Sequence, residues 1–96
     1  MTAIVWTEAA QVDLERHYDF LAANAPEVAA RVVQAIVSAA ESLAQNPRRG
    51  AIVEQASGLR KLLIRFGKVG FVLHYIILES DVVILRIYHG REQRPV

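Results

Sequence analysis

A chain of 96 residues has room for one hydrophobic core and too little length for a second domain or an enclosed cofactor site, so its function must sit on a surface. Hydrophobic residues make up 53% and charged residues 22%, against about 45–50% and about 25% in an average soluble domain, which leaves apolar area to spare and suggests a permanent partner that covers it. The net charge of +1 hides an asymmetry, since residues 1–56 carry 4 Lys/Arg against 7 Asp/Glu and residues 57–96 carry 7 against 3, while the absence of Cys excludes disulfides, thiol catalysis and Cys-based metal sites.

Ala3 to Trp6 reads as a short strand. Thr7 follows as a natural N-cap, with Glu8 in the first turn, where the helix dipole favours a negative charge. In the helix that begins there, Ala10, Leu14, His17 and Leu21 recur on one stripe, while Asp13, Glu15, Arg16 and Asp19 mostly fall away from it. His17 is accordingly expected as a packed, hydrogen-bonded core residue. The helix stops around Ala23 to Ala25, and Pro26 and Glu27 suit the first turn of a second one. Its buried stripe is expected from Val33, Ile36, Val37, Ala40 and Leu43, until Asn46-Pro47 and Gly50 end it. Helices joined by so few residues lie antiparallel, as a hairpin.

After Gly50 the hydrophobic period changes to two. Leu59–Phe66, Phe71–Leu78 and Val82–His89 read as strands, with room for a short extended piece at Ile52–Glu54. Gly67, Lys68 and Gly70 mark one reversal and Glu79-Ser80-Asp81 another; the first lacks the spacing and Ser/Thr of a phosphate loop and is a hairpin turn. The order is β-α-α-β-β-β in a single domain over residues 1–96, an α+β fold with the helical hairpin on one face of an antiparallel sheet. Leu14, Leu21, Val33, Ile36, Leu43, Leu62, Ile64, Leu85 and Ile87 are its expected core.

Alternation then assigns the uncovered face. With Leu62, Ile64 and Phe66 inward, Lys61 and Arg65 face out; with Val83, Leu85 and Ile87 inward, Arg86 and Tyr88 face out, and His74 joins them. This is a basic patch with an aromatic group, suited to carboxylates or phosphates, although a charge bias of this size also suits an ordinary solvated face. His17, His74 and His89 show no ligand-like spacing, so no metal or cofactor is expected. The longest apolar stretch, Val69–Leu78, is broken by Gly70 and His74 and too short to span a bilayer, so a cytoplasmic protein without membrane contact is expected.

Several local signatures recur in one order: Trp6-Thr7-Glu8-Ala9-Ala10 leading to Asp13-Leu14 and Tyr18-Asp19-Phe20-Leu21, then Leu43-Ala44-Gln45-Asn46-Pro47 with Gly50. Gly58-Leu59-Arg60-Lys61-Leu62 and Ile84-Leu85-Arg86-Ile87-Tyr88-His89-Gly90-Arg91 follow. With these, nearly the whole chain resembles the ParE/RelE superfamily of toxins from type II toxin–antitoxin systems. The resemblance implies a growth-inhibiting toxin, of the kind linked to plasmid stabilisation, held in a hetero-oligomer by a cognate, ParD-like antitoxin.

ParE-like members inhibit DNA gyrase by binding, whereas RelE-like members cleave messenger RNA on the ribosome. RelE-like nucleases carry a basic pair two residues apart on the first strand of the meander, but here Lys61 is flanked at that spacing by Leu59 and Leu63, and Arg60 by Gly58 and Leu62. Their Arg after a Gly-aromatic pair is replaced by Val72 after Gly70-Phe71. Arg91 matches their Arg near the end of the last strand, while the Tyr expected beyond it has no counterpart before Val96. The resemblance is therefore to ParE more than to RelE, with ribosome and messenger RNA as the alternative target and a nontoxic binding relative as a third reading. The expected recognition groups are Lys61, Arg65, Arg86, Tyr88, His89, Arg91 and Arg94, with no catalytic residue.

Overall fold

The computed structural model describes residues 2–95, with β1 (Ile4–Trp6), α1 (Glu8–Ala22), α2 (Pro26–Ser42), a 3-10 turn (Pro47–Arg49), β2 (Ala51–Glu54), β3 (Leu59–Ile64), β4 (Phe71–Leu78) and β5 (Asp81–His89). The five strands form one sheet in the order β1-β5-β4-β3-β2. Strands β2 to β5 make an antiparallel meander, and β1 joins β5 in parallel. The expected α+β arrangement is present, with residues 51–54 as a true edge strand.

Thr7 caps α1 by accepting the Ala10 N–H on its hydroxyl oxygen at 3.1 Å. In α2 no side chain caps the start, and Pro26 in the first turn leaves one fewer N–H to satisfy. The core comes from Ala10 of α1, Val32, Ile36, Ala40 and Leu43 of α2 or its cap, and Leu62, Ile64, Leu73, Tyr75, Val82, Ile84 and Ile87 of the sheet. Leu14 and Leu21 pack against it from partly buried positions.

Two expected core residues lie elsewhere. Val33 gives way to Val32, because Ala29 and Ala40 take facing positions and rotate the stripe; apolarity alone does not distinguish two adjacent valines. Leu85 is only half-buried, because His74 pairs with Arg86 while Tyr75 pairs with Ile84, leaving Leu85 as the extra residue of a β-bulge. The bulge breaks strict alternation. Val82 and Ile84 before it and Ile87 after it all enter the core, so Val83 and Leu85 stay outside it, while Arg86 and Tyr88 keep the outward side expected of them.

Tyr75 fastens the helical hairpin to the sheet. Fully buried, its hydroxyl donates to the Pro47 carbonyl at 2.7 Å and accepts the Gly50 N–H at 2.8 Å. A Cβ on Gly50 would lie 2.6 Å from both the Lys61 carbonyl and the Tyr75 hydroxyl, so the approach of β3 and β4 to the turn requires glycine there. Among the described residues no helix is long and apolar enough to cross a membrane.

Candidate functional site

Strand β1 covers the edge of β5 only as far as Ile84. Beyond it, α1 takes over. Thr7 donates its N–H and hydroxyl to the Ile84 carbonyl, Asp13 accepts the Ile87 N–H at 2.8 Å, and His17 Nε2 donates to the Ile87 carbonyl at 2.9 Å. A carbonyl can only accept, which fixes the proton of neutral His17 on Nε2. Asp13, 3% exposed, also receives Arg86 Nε at 2.7 Å and Nη2 at 3.1 Å, and Arg16 at 3.4 Å. Burial, the largest influence, raises the Asp13 carboxyl, but the Arg86 bonds, the Ile87 N–H and the Arg16 contact together outweigh it and hold the group below its ordinary value. The sequence pattern placed Asp13 off the buried stripe; the structure puts it on that stripe, where its charge is met by Arg86.

On the uncovered sheet face, register places Lys61 and Arg86 on either side of His74 and sets Val72 between Leu63 and Tyr88. The Arg86 guanidinium, committed to Asp13, also lies over the Tyr88 ring at 5.1 Å. His74 meets Tyr88 edge-on at 5.1 Å. Arg65 is exposed just past the end of β3. The tail after β5 brings Arg94 close enough for its charge to act on His74; burial first, then Arg94, Lys61 and Arg86, push the imidazole below its ordinary value. His74 is thus a neutral, buried member of a cationic cluster, and its period-two relation to Val72 was the signal for its side of the sheet.

His89 and Arg91 belong to a different surface. His89 pairs with Phe71, a core-face residue, and meets its ring edge-on at 5.5 Å. Its Nδ1 accepts the Arg91 N–H, and its own N–H donates to Glu92, whose other carboxylate oxygen pairs with Arg16 at 3.0 Å. These residues border an apolar groove of about 810 Å³ between the α1–α2 connection end of the helical hairpin and the β3–β4 turn, lined by Phe20, Leu21, Val28, Phe66 and Val69 and edged by Lys68 and Arg91. Phe20 is 78% exposed, a large apolar side chain with nothing over it in this chain. Sequence reading missed this groove: Phe20 carried no role there, and the turn residues were read only as a turn. The expected recognition residues therefore divide, with Lys61, Arg65, Arg86, Tyr88 and Arg94 toward the open face and His89 and Arg91 at the groove. Among the described residues no group of three or more His, Asp or Glu side chains gathers as a metal site would need.

The geometry has counterparts in known proteins. Residues 4–94 match the family described as ParE toxin of type II toxin-antitoxin system, parDE. The toxin RelE3 of Caulobacter vibrioides is 38% identical over 85 residues, covering 88% of this chain and 90% of that protein. Among solved structures, the chromosomal ParDE system of P. aeruginosa superposes with a TM-score of 0.79 at 29% identity, covering 95% of this chain and 98% of that one. A chain of the toxin–antitoxin complex RelBE2 from Mycobacterium tuberculosis superposes with a TM-score of 0.64 at 27% identity, covering 92% and 96%. With the family pattern running from β1 through the tail that carries Arg94, the chain belongs to the ParE toxin family of type II toxin–antitoxin systems.

Proposed function

We propose that this toxin acts by binding and inhibiting DNA gyrase, without cleaving RNA, and is neutralised by a cognate antitoxin that docks in the apolar groove. The observation that carries the first part is the chemistry of the open face. A phosphodiester-cleaving site needs free cations around the scissile phosphate and proton-transfer groups beside it. Here the Arg86 charge is taken by Asp13, Leu63 and Val72 stand where further cations would be needed, and Lys61, Arg65 and Arg94 are left as the open-face cations without an ion pair among the described residues. Such a face can grip a partner through Lys61, Arg65, Tyr88 and Arg94 but is poorly equipped for chemistry.

The antitoxin reading is supported by the groove, whose apolar floor and exposed Phe20 match a helix laid in with its apolar side down, and by the toxin–antitoxin complexes that the chain resembles. Arg91 and His89 at its rim are placed to meet acidic residues flanking such a helix.

One observation favours a second reading. The neutral imidazole of His74 beside Lys61 is a proton acceptor in the setting of a ribonuclease, and the relative RelE3 carries a RelE name. The two readings separate in single substitutions. For a binding inhibitor, Lys61→Ala and Arg94→Ala each weaken gyrase inhibition by a graded amount, about 1–3 kcal/mol in affinity. For a nuclease, removing His74 abolishes ribosome-dependent cleavage while ribosome binding persists.

A further inference from the structure

His74 is 4% exposed, yet its Nε2 has no hydrogen-bond partner among the described residues, and the same holds for the buried Nε of Arg94. Unpartnered buried nitrogens are uncommon in folded proteins and ask for an explanation. These two share a neighbourhood. The groups that face the imidazole are Lys61 from β3, Arg86 and Tyr88 from β5, and Arg94 from the tail; among the described residues no carboxylate acts on it. Arg86 is already neutralised by Asp13, whereas Lys61 and Arg94 form no ion pair among the described residues.

We infer that Lys61, His74 and Arg94 form a receptor for one carboxylate side chain of a protein partner, whose neighbouring apolar residue packs on Leu63. The inference rests on the reading of the open face as a protein-binding surface. Two oxygens on one carbon suit the cluster once the side chains covering the two buried nitrogens move aside: Lys61 and the Arg94 Nε–H can then share them, and neutral His74 can place its proton on Nε2 and add a third donor. The setting favours a carboxylate over a nucleic-acid phosphate. Val72, His74 and Tyr88 are only 4–6% exposed, so the site admits a slim group on a flexible stem more readily than a phosphodiester with a sugar on each side. Leu63, 63% exposed and two residues from Lys61 on the same side of β3, offers an apolar contact that a phosphate backbone does not use. A bound carboxylate would also oppose the cationic field on His74 and draw a proton onto it, so binding should tighten as pH falls.

The test is an NMR titration of the full chain, following the His74 ring resonances. The probes are the blocked tetrapeptide Leu-Glu-Glu-Leu, its Leu-Gln-Gln-Leu counterpart, and hexauridylate. The expected result is a saturable His74 shift and an upward move of its titration midpoint with the Glu peptide only. Lys61→Gln should weaken that binding roughly tenfold, and Arg31→Gln, exposed on α2, should leave it unchanged. A His74 response to hexauridylate but not to the Glu peptide would replace carboxylate by phosphate and overturn the inference, as would no saturable response to either. If gyrase inhibition persists in those cases, the proposed function stands and this receptor alone falls.

Discussion

Asp13→Ala removes the carboxylate that ties α1 to the second half of β5. It takes away the acceptor of the Ile87 N–H at 2.8 Å, two bonds from Arg86 at 2.7 and 3.1 Å, and a weak contact to Arg16 at 3.4 Å. A buried N–H left without a partner costs about 1–3 kcal/mol. Breaking a fully buried ion pair costs about 3–5 kcal/mol, but the Arg86 side chain is 44% exposed and regains much of its hydration. The expected loss is therefore about 2–4 kcal/mol, above the roughly 0–1 kcal/mol of a surface pair. In a domain of this size 1 kcal/mol corresponds to about 4–8 °C, so the melting temperature should fall by roughly 10 °C or more. Asp13→Asn keeps an oxygen for Ile87 and should lose about half as much. Arg16→Ala should cost less than about 1 kcal/mol, since that side chain is 47% exposed. Thermal and urea unfolding followed by circular dichroism measure all three. An Asp13→Ala protein melting within about 2 °C of the parent, or an Arg16→Ala protein as damaged as Asp13→Ala, would refute the edge-closing role.

Other consequences follow from the same packing. Burial above all holds His17 and His74 below the ordinary imidazole value, so the unfolded chain binds more protons near pH 6; stability is full above about 6.5 and falls as pH drops through that value, levelling off below the folded pKa values. A urea midpoint higher at pH about 5.5 than at about 7.5 would contradict that sign. Ile87→Ala should cost about 2–5 kcal/mol and Leu85→Ala about 1 kcal/mol, because the bulge puts Ile87 in the core and Leu85 outside it; the reverse order in unfolding experiments would mean the register is misassigned. Phe20→Asp, at a 78% exposed position, should leave the melting curve nearly unchanged and prevent copurification of the coexpressed antitoxin, whereas an intact complex would move the docking site away from the groove.

The fold was legible because its signals are local. The Thr7 cap, Pro26 at a helix start, Gly50 at the change of period and the glycines of the β3–β4 turn each act within a few residues. What escaped the sequence depends on contacts far apart in the chain. The bulge opposite His74 and Tyr75 is invisible in the apolar run from Val82 to Ile87, yet it decides that Leu85 leaves the core. Asp13 reads as a surface charge until the Ile87 N–H and Arg86, more than 70 residues away, arrive beside it. The candidate site was read in part for the same reason. Alternation gives the sides of Lys61, His74, Arg86 and Tyr88, but whether Arg86 is free depends on Asp13, and the separation of His89 from Tyr88 appears once Phe71 is seen across from it.

If this toxin acts by gripping a protein target, its effects on gyrase and on the ribosome separate cleanly. Purified chain, freed from its antitoxin, should be added in parallel to a gyrase supercoiling reaction and to ribosomes translating a defined messenger. The expected result is dose-dependent loss of supercoiling, relieved by adding back the antitoxin, with the messenger left intact. Cleavage of the messenger on ribosomes, with supercoiling unaffected at the same doses, would contradict it and assign His74 and Lys61 to RNA chemistry instead.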